Sequence, residues 1–166
     1  MAPKKRSRKA GSFRADDLPI PEDGQHFSRL IGLEISRLAG GECAAHLDVR
    51  DFHFNRGGVL HGGVLASVLD TVMGGAVVST LRADEWTATV QLNVEYLEQV
   101  ERGRILAVGR IVRRGRRIAF VEGEARESGR RVARATGIWY VWPKSPEELE
   151  AMKRKRKAKT VPAVRA

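Results

Sequence analysis

From Thr87 to Tyr96 the chain alternates: Ala88, Val90, Leu92, Val94 and Tyr96 fall on one side, and Thr87, Thr89, Gln91, Asn93 and Glu95 on the other. A period of two over this length predicts a half-buried β-strand. Strand-like runs follow at about 104–113, 117–126 and 131–142, with turn signals at Arg114-Gly115 and Ser128-Gly129 between them. Together the four segments are expected to form an antiparallel meander. Upstream, Leu30 to Leu38 and Cys43 to Val49 flank Gly40-Gly41 and predict a hairpin of two more strands.

Between hairpin and meander the period changes. Val64 to Leu81 is Val, Leu, Ala and Met almost without interruption. It is marginal in length for a membrane span, carries Asp70 in its middle and has Gly74 and Gly75 side by side. Insertion into lipid would bury an acid without a partner. A helix inside the protein is therefore expected, covered on most of its circumference because it is apolar nearly all round, and no integral membrane segment is expected. Two strands, a loop at 51–59, one helix and four strands make an α+β pattern, one helix against one sheet. No period of 20 to 50 residues recurs. After Trp142, Pro-Lys-Ser-Pro-Glu-Glu-Leu predicts a short helix with an acidic, capped start.

Length and composition narrow the classes. The chain has 166 residues, 42% of them hydrophobic, enough for a single domain with a core. Its one cysteine, Cys43, excludes an intrachain disulfide framework. The formal charge of +10 is unevenly spread: residues 1–14 hold six basic residues and no acid, and 151–166 hold seven and no acid. Residues 15–150 are net acidic. The reading is a domain over 15–150 between two disordered basic tails, 1–14 and 151–166, able to bind polyanions non-specifically. The N-terminal segment lacks the apolar stretch of a secretory signal, so a cytoplasmic location is expected. His26, His46 and His53 show no metal-ligand spacing with one another or with Cys43, and no metal or cofactor is expected.

Chemistry concentrates where the loop meets the helix, in Asn55-Arg-Gly-Gly-Val-Leu-His61-Gly62-Gly63 and on to Asp70. The stretch resembles the signature of hotdog-fold thioesterases of the phenylacetate-degradation (PaaI-like) type: an Asn, His-Gly-Gly six residues on, and an acid nine residues after the His. The resemblance covers roughly residues 28–142 and takes in the Asn93-Val-Glu-Tyr96 strand. It implies a six-stranded antiparallel sheet wrapped round one long helix, and hydrolysis of acyl-CoA thioesters by a homodimer or a dimer of dimers. By the same resemblance Thr89 falls where a Ser or Thr supports the acid, although strand alternation sets it opposite the apolar face.

The residues suit that reaction on physical grounds. A thioester carbonyl under attack gathers negative charge on oxygen, and free N–H groups at a helix N-terminus are donors aimed at an anion. Gly62 and Gly63, without a Cβ, allow a close approach. Asp70 can deprotonate a water or attack the carbonyl itself. His61 is read either as a brace for the loop and cap for the helix or as a direct participant, and Asn55 either as a loop holder or as a group that positions water or substrate. On a continuous helix Asp70 lies about 13.5 Å beyond His61 and half a turn out of phase. The expectation, which the hotdog resemblance shares, is a site made by two subunits, with Asn55, His61 and Gly62 from one and Asp70 from the other. Arg113, Arg114, Arg116 and Arg117 are read as a solvated hairpin tip or as phosphate contacts for CoA. Two other readings are kept: a non-catalytic acyl-CoA-binding module whose basic tails contact nucleic acid, and a dehydratase acting on hydroxyacyl thioesters.

Overall fold

The computed structural model describes residues 26–148, 150 and 151. The basic arms, apart from Ala151, and residues 15–25 lie outside the described residues. The elements run α1 (His26–Leu30), β1 (Leu33–Ala39), β2 (Glu42–Asp48), a 3-10 turn (Asp51–His53), α2 (Gly62–Val78), β3 (Glu85–Tyr96), β4 (Arg104–Arg114), β5 (Ile118–Glu127) and β6 (Arg130–Pro143). Leu30, expected to open the first strand, ends α1 instead. Gly32, at φ +71°, makes the turn into β1. Past β6, Ser145 and Glu148 form the predicted reciprocal cap: the Ser145 N–H donates to Glu148 Oε2 at 2.7 Å and the Glu148 N–H to Ser145 Oγ at 3.2 Å.

All strand pairs are antiparallel, in the order β1-β2-β4-β5-β6-β3. The meander expected of the last four strands is real only for β4, β5 and β6. β3 pairs with β6 and β4 with β2, so β3 is left as an edge strand of 12 residues. The chain crosses the sheet by way of α2, which lies along the inner face. Leu65, Val68, Leu69, Val72, Met73, Ala76 and Val77 are buried there, a helical stripe at i, i+3, i+4 and i+7. The opposite side, with Ser67, Asp70, Thr71 and Gly74, is only half-buried and Val78 is exposed. Coverage of most of the helix circumference, as its composition suggested, is therefore not reached within one chain. Among the described residues no helix is long and apolar enough to cross a membrane.

The sheet approaches α2 at backbone distance. A Cβ built on Gly109 of β4 would lie 2.5 Å from the carbonyl carbon and oxygen of Val72, so only glycine fits. Cys43 is fully buried opposite Gly75, and burial pushes its thiol pKa up. Trp139 of β6 is the largest fully buried side chain.

Strand β3 departs from simple alternation. Thr89 pairs with Trp139 and Gln91 with Ile138, leaving Val90 as an extra residue in a β-bulge. The bulge switches the inward set. Thr87 and Thr89 precede it and Leu92, Val94 and Tyr96 follow it, opposite Val141, Trp139, Gly137, Ala135 and Ala133, all buried on β6. Val90, expected on the buried face, is 63% exposed.

Candidate active site

The loop before α2 is held by its own polar groups. Asn55 Oδ1 accepts from the N–H of Gly57 at 2.8 Å and, more loosely, from that of Val59 at 3.5 Å. The Asn55 backbone exchanges bonds with Val59 and Gly58, and Gly58 takes φ +76°. This favours the loop-holding reading of Asn55. Behind it, His53 is 2% exposed. Its Nδ1 accepts from the Arg50 N–H at 3.0 Å, so Nε2 carries the proton given to the Ile31 carbonyl at 2.9 Å. The His53 carbonyl in turn takes the His61 N–H at 2.9 Å, anchoring the entry to the helix.

His61 is the N-cap of α2, with Nδ1 accepting from the Gly63 N–H at 2.9 Å. A Cβ on Gly63 would sit 2.9 Å from that nitrogen, so Gly63 is glycine to let the histidine fold over the helix end. The capping reading of His61 is therefore the one its geometry favours. It also divides the two glycines: the Gly63 N–H is occupied, while among the described residues no acceptor takes the Gly62 N–H. Tyr96 covers the same turn. Its hydroxyl donates to the Gly62 carbonyl at 3.2 Å and its ring lies 3.3 Å from where a Gly62 Cβ would be. Sequence alternation read Tyr96 only as the last member of an apolar face. The available signal was its type, since a tyrosine with its ring packed usually finds a partner for its hydroxyl.

Asp70 is half-buried in the middle of α2, and Oδ1 accepts from Thr89 Oγ1 at 2.9 Å. The contact that strand alternation spoke against is made because the bulge at Val90 turns Thr89 inward. The structure thus joins Asp70 to Thr89, and His61 to Gly62 and Gly63. It does not join the two groups: among the described residues no hydrogen bond links Asp70 to Asn55, His61 or Gly62, and eight residues of helix put Asp70 about 12 Å along the axis from Gly62.

The arginine turn divides as well. Arg114, Arg116 and Arg117 line a cleft with Arg82, whereas Arg113 does not. Arg114 lies 3.8 Å from Glu85 and also donates to the Gly115 carbonyl, and Arg117 donates to Tyr140 Oη at 3.2 Å. Arg113 and Arg116 are exposed. Among the described residues no group of three His, Cys, Asp or Glu side chains is placed to hold a metal ion.

The thioesterase superfamily pattern matches residues 57–133, from the loop through most of the sheet. A conserved protein of Pseudomonas aeruginosa has a solved structure that is 34% identical with a TM-score of 0.68, covering 70% of this chain and 93% of that one. This chain belongs to the thioesterase superfamily. Within the superfamily it has the hotdog architecture, the antiparallel sheet being the bun and α2 the filling. A mutant form of the phenylacetic acid degradation protein PaaI of Thermus thermophilus is 27% identical with a TM-score of 0.64, covering 69% of this chain and 96% of its own. Human acyl-coenzyme A thioesterase 13 is 26% identical over 58% of this chain and 69% of its own length.

Proposed function

We propose that this hotdog protein hydrolyses acyl-CoA thioesters to the free acid and CoA, at sites each shared between two subunits. The observation that carries the reading is the pair of half-sites on one helix: an open Gly62 amide at the N-terminus and, about 12 Å further on, a carboxylate held by Thr89. In the complete site the thioester oxygen lies against Gly62 of one subunit, where the amide and helix dipole stabilise the charge of the tetrahedral intermediate. Asp70 of the other subunit takes a proton from water, which adds to the carbonyl carbon. Collapse breaks the C–S bond and CoA leaves as thiol, with the proton returned. Direct attack by Asp70, followed by hydrolysis of the mixed anhydride, gives the same products. His61 and Asn55 act by shaping the Gly62 turn, Thr89 by orienting Asp70, and Gly63 by admitting the His61 cap.

Two further features support a second copy beside Asp70. The helix face that carries the carboxylate is half-open in one chain, and the adjacent β3 presents an unpaired edge 12 residues long, which soluble proteins seldom leave free. On the outer face of the sheet Val112 and Phe120 are 64% and 45% exposed, a surface through which dimers can pair again. The basic arms add salt-sensitive polyanion binding.

Release of CoA thiol from short, long and aromatic acyl-CoAs tests the reaction. Asp70→Asn is expected to keep the fold and lose at least about two orders of magnitude in kcat, as for a positioned base or nucleophile. Full activity in that variant removes Asp70 from the mechanism. Mixing Asp70→Asn chains with Asn55→Ala chains gives heterodimers with one intact site of two, so about a quarter of wild-type activity should return after random exchange. No return despite proven exchange means a single-chain site. If all substrates are inert while an acyl-CoA raises the Tm, the protein is a binding module.

A further inference from the structure

Among the described residues His53 is the only ionisable side chain besides Cys43 that is buried. A buried polar ring is costly unless its nitrogens have partners, and both of them do. Nδ1 accepts from the Arg50 N–H at 3.0 Å and Nε2 donates to the Ile31 carbonyl at 2.9 Å. The backbone of His53 is as fully engaged: its N–H donates to the Arg50 carbonyl at 2.9 Å and its carbonyl takes the His61 N–H at 2.9 Å. At 2% exposure water does not stand in for a lost partner. Phe52 closes one side, its ring centroid 4.1 Å from that of the imidazole. These partners lie on separate elements. Ile31 follows α1, and Arg50 follows Val49, whose N–H donates to the Gly103 carbonyl just before β4. His61 faces His53 across the mouth of the loop, with Phe54 bridged to Leu60 and the Asn55 N–H on the Val59 carbonyl behind it. The ring therefore ties the mouth of the loop to the end of α1 and to the end of β2, and the residue after His61 is Gly62.

We infer that His53 is a positioning residue for hydrolysis: its imidazole, acting through the His61 N–H, fixes where the Gly62 amide points. The inference rests on the proposed acyl-CoA thioesterase reaction and adds to it a residue that touches neither the substrate nor the reacting atoms. A backbone amide stabilises an oxyanion only when it is held at the place the charged oxygen will occupy, and small misplacements there are expensive. An apolar side chain of similar size would fill the volume of the ring but leave the Arg50 N–H and the Ile31 carbonyl without partners. Those groups then seek others, the mouth of the loop shifts, and Gly62 shifts with it. Because the charge on the thioester oxygen exists only in the transition state, the cost falls on kcat and not on KM. The His61 cap on Gly63 is set by the same lock, since His61 is held from behind by the His53 carbonyl before it folds over the helix end.

Native-state amide exchange of the full wild-type chain tests the lock without a variant and without turnover. The Arg50, His61 and Gly63 amides should be protected to a similar degree and open together as one unit. A His61 or Gly63 amide that exchanges freely while that of Arg50 stays protected would overturn the inference. Kinetics on acyl-CoA substrates, each variant assayed well below its Tm, read the consequence. His53→Leu should lower kcat about tenfold, less than outright removal of an oxyanion donor, with KM little changed. His53→Asn sets an oxygen near the place of Nδ1 and His53→Gln an amide N–H near that of Nε2, so each keeps one of the two ring bonds and should recover part of kcat whatever its Tm. Full kcat in His53→Leu, a loss confined to KM, or rates of His53→Asn and His53→Gln no better than that of His53→Leu would each show that the ring only fills space, and would overturn the inference. Failure of the hydrolytic reading looks different: the wild type releases no thiol from any acyl-CoA while the Arg50, His61 and Gly63 amides still open together, so the lock stands and the reaction falls.

Discussion

Replacing Thr89 by valine isolates one atom. Valine keeps the β-branched shape that suits a strand and removes only the hydroxyl that donates to Asp70 Oδ1 at 2.9 Å. A hydrogen bond to a charged group contributes about 1.5–3 kcal/mol. Thr89 is exposed in the single chain and Asp70 half-buried, so water can take over part of the role, and the low end of that range applies. The expected loss is therefore about 1.5 kcal/mol, or a little over tenfold in kcat. In the proposed site the hydroxyl acts through the carboxylate, so KM should move little. Thr89→Ser keeps the donor and should recover most of the rate, which a purely structural role for the methyl would not allow. In the Asp70→Asn background Thr89→Val should cost almost nothing more, since residues that act as a unit are not additive. A wild-type kcat for Thr89→Val, or the same tenfold loss with Asp70 already replaced, would refute the coupling.

Three other perturbations test the frame around the site. Gly109→Ala sets a methyl 2.5 Å from the Val72 backbone and should destabilise the fold by about 3 kcal/mol, the upper end for overpacking; an unchanged urea midpoint would mean that α2 does not lie against β4 as described. Tyr96→Phe keeps the ring over Gly62 and loses the bond to its carbonyl, so kcat should fall about threefold, the worth of a neutral exposed hydrogen bond. An unchanged rate leaves only the ring as the support. Glu124 is held below its ordinary 4.5 by the bond from Arg126, with Arg131 adding to it. A depressed folded pKa means that its stabilisation is present above about pH 4.5 and is lost as pH falls through the lowered value. Glu124→Gln should thus lower Tm at pH 7 and converge with the wild type in acid, and a Tm gap that persists in acid would assign the effect to something other than charge.

Much of this was readable in the residues. Periods of two and 3.6 located the strands and α2, and the His61-Gly62-Gly63 sequence placed the helix start where a cap and an open amide meet. What failed to show was long-range. The residues of β3 and β4 are consecutive in sequence and look like neighbours, yet β3 pairs with β6, because pairing order depends on how the chain crosses the helix and not on local pattern. The Val90 bulge has no residue signature either. Val is an ordinary strand residue, and only the pairing with β6 reveals that one position is supernumerary. The arginine turn misled by compactness in sequence: Arg113 does not line the cleft that its neighbours line, and Arg82 joins them from another element.

The bulge matters beyond its own residue, since it lets one strand serve both of the proposed half-sites. Without it, strict alternation would turn Thr89 to the outer face whenever Leu92, Val94 and Tyr96 face the helix. With it, the same inner face carries the hydroxyl that holds Asp70 and the tyrosine that covers Gly62, in the antiparallel order in which α2 presents them. Glu85, at the start of the strand, then falls at the arginine cleft. The three stations along β3 thus follow the three stations along α2: helix start, mid-helix carboxylate and helix end. Because β3 is also one of the two edges of the sheet, a second chain pairing there would align its own stations in reverse, bringing one subunit's helix start toward the other's carboxylate. In the dimer proposed above, such a two-fold arrangement completes a site that neither chain forms alone, and disrupting β3 should then abolish dimer formation and turnover together.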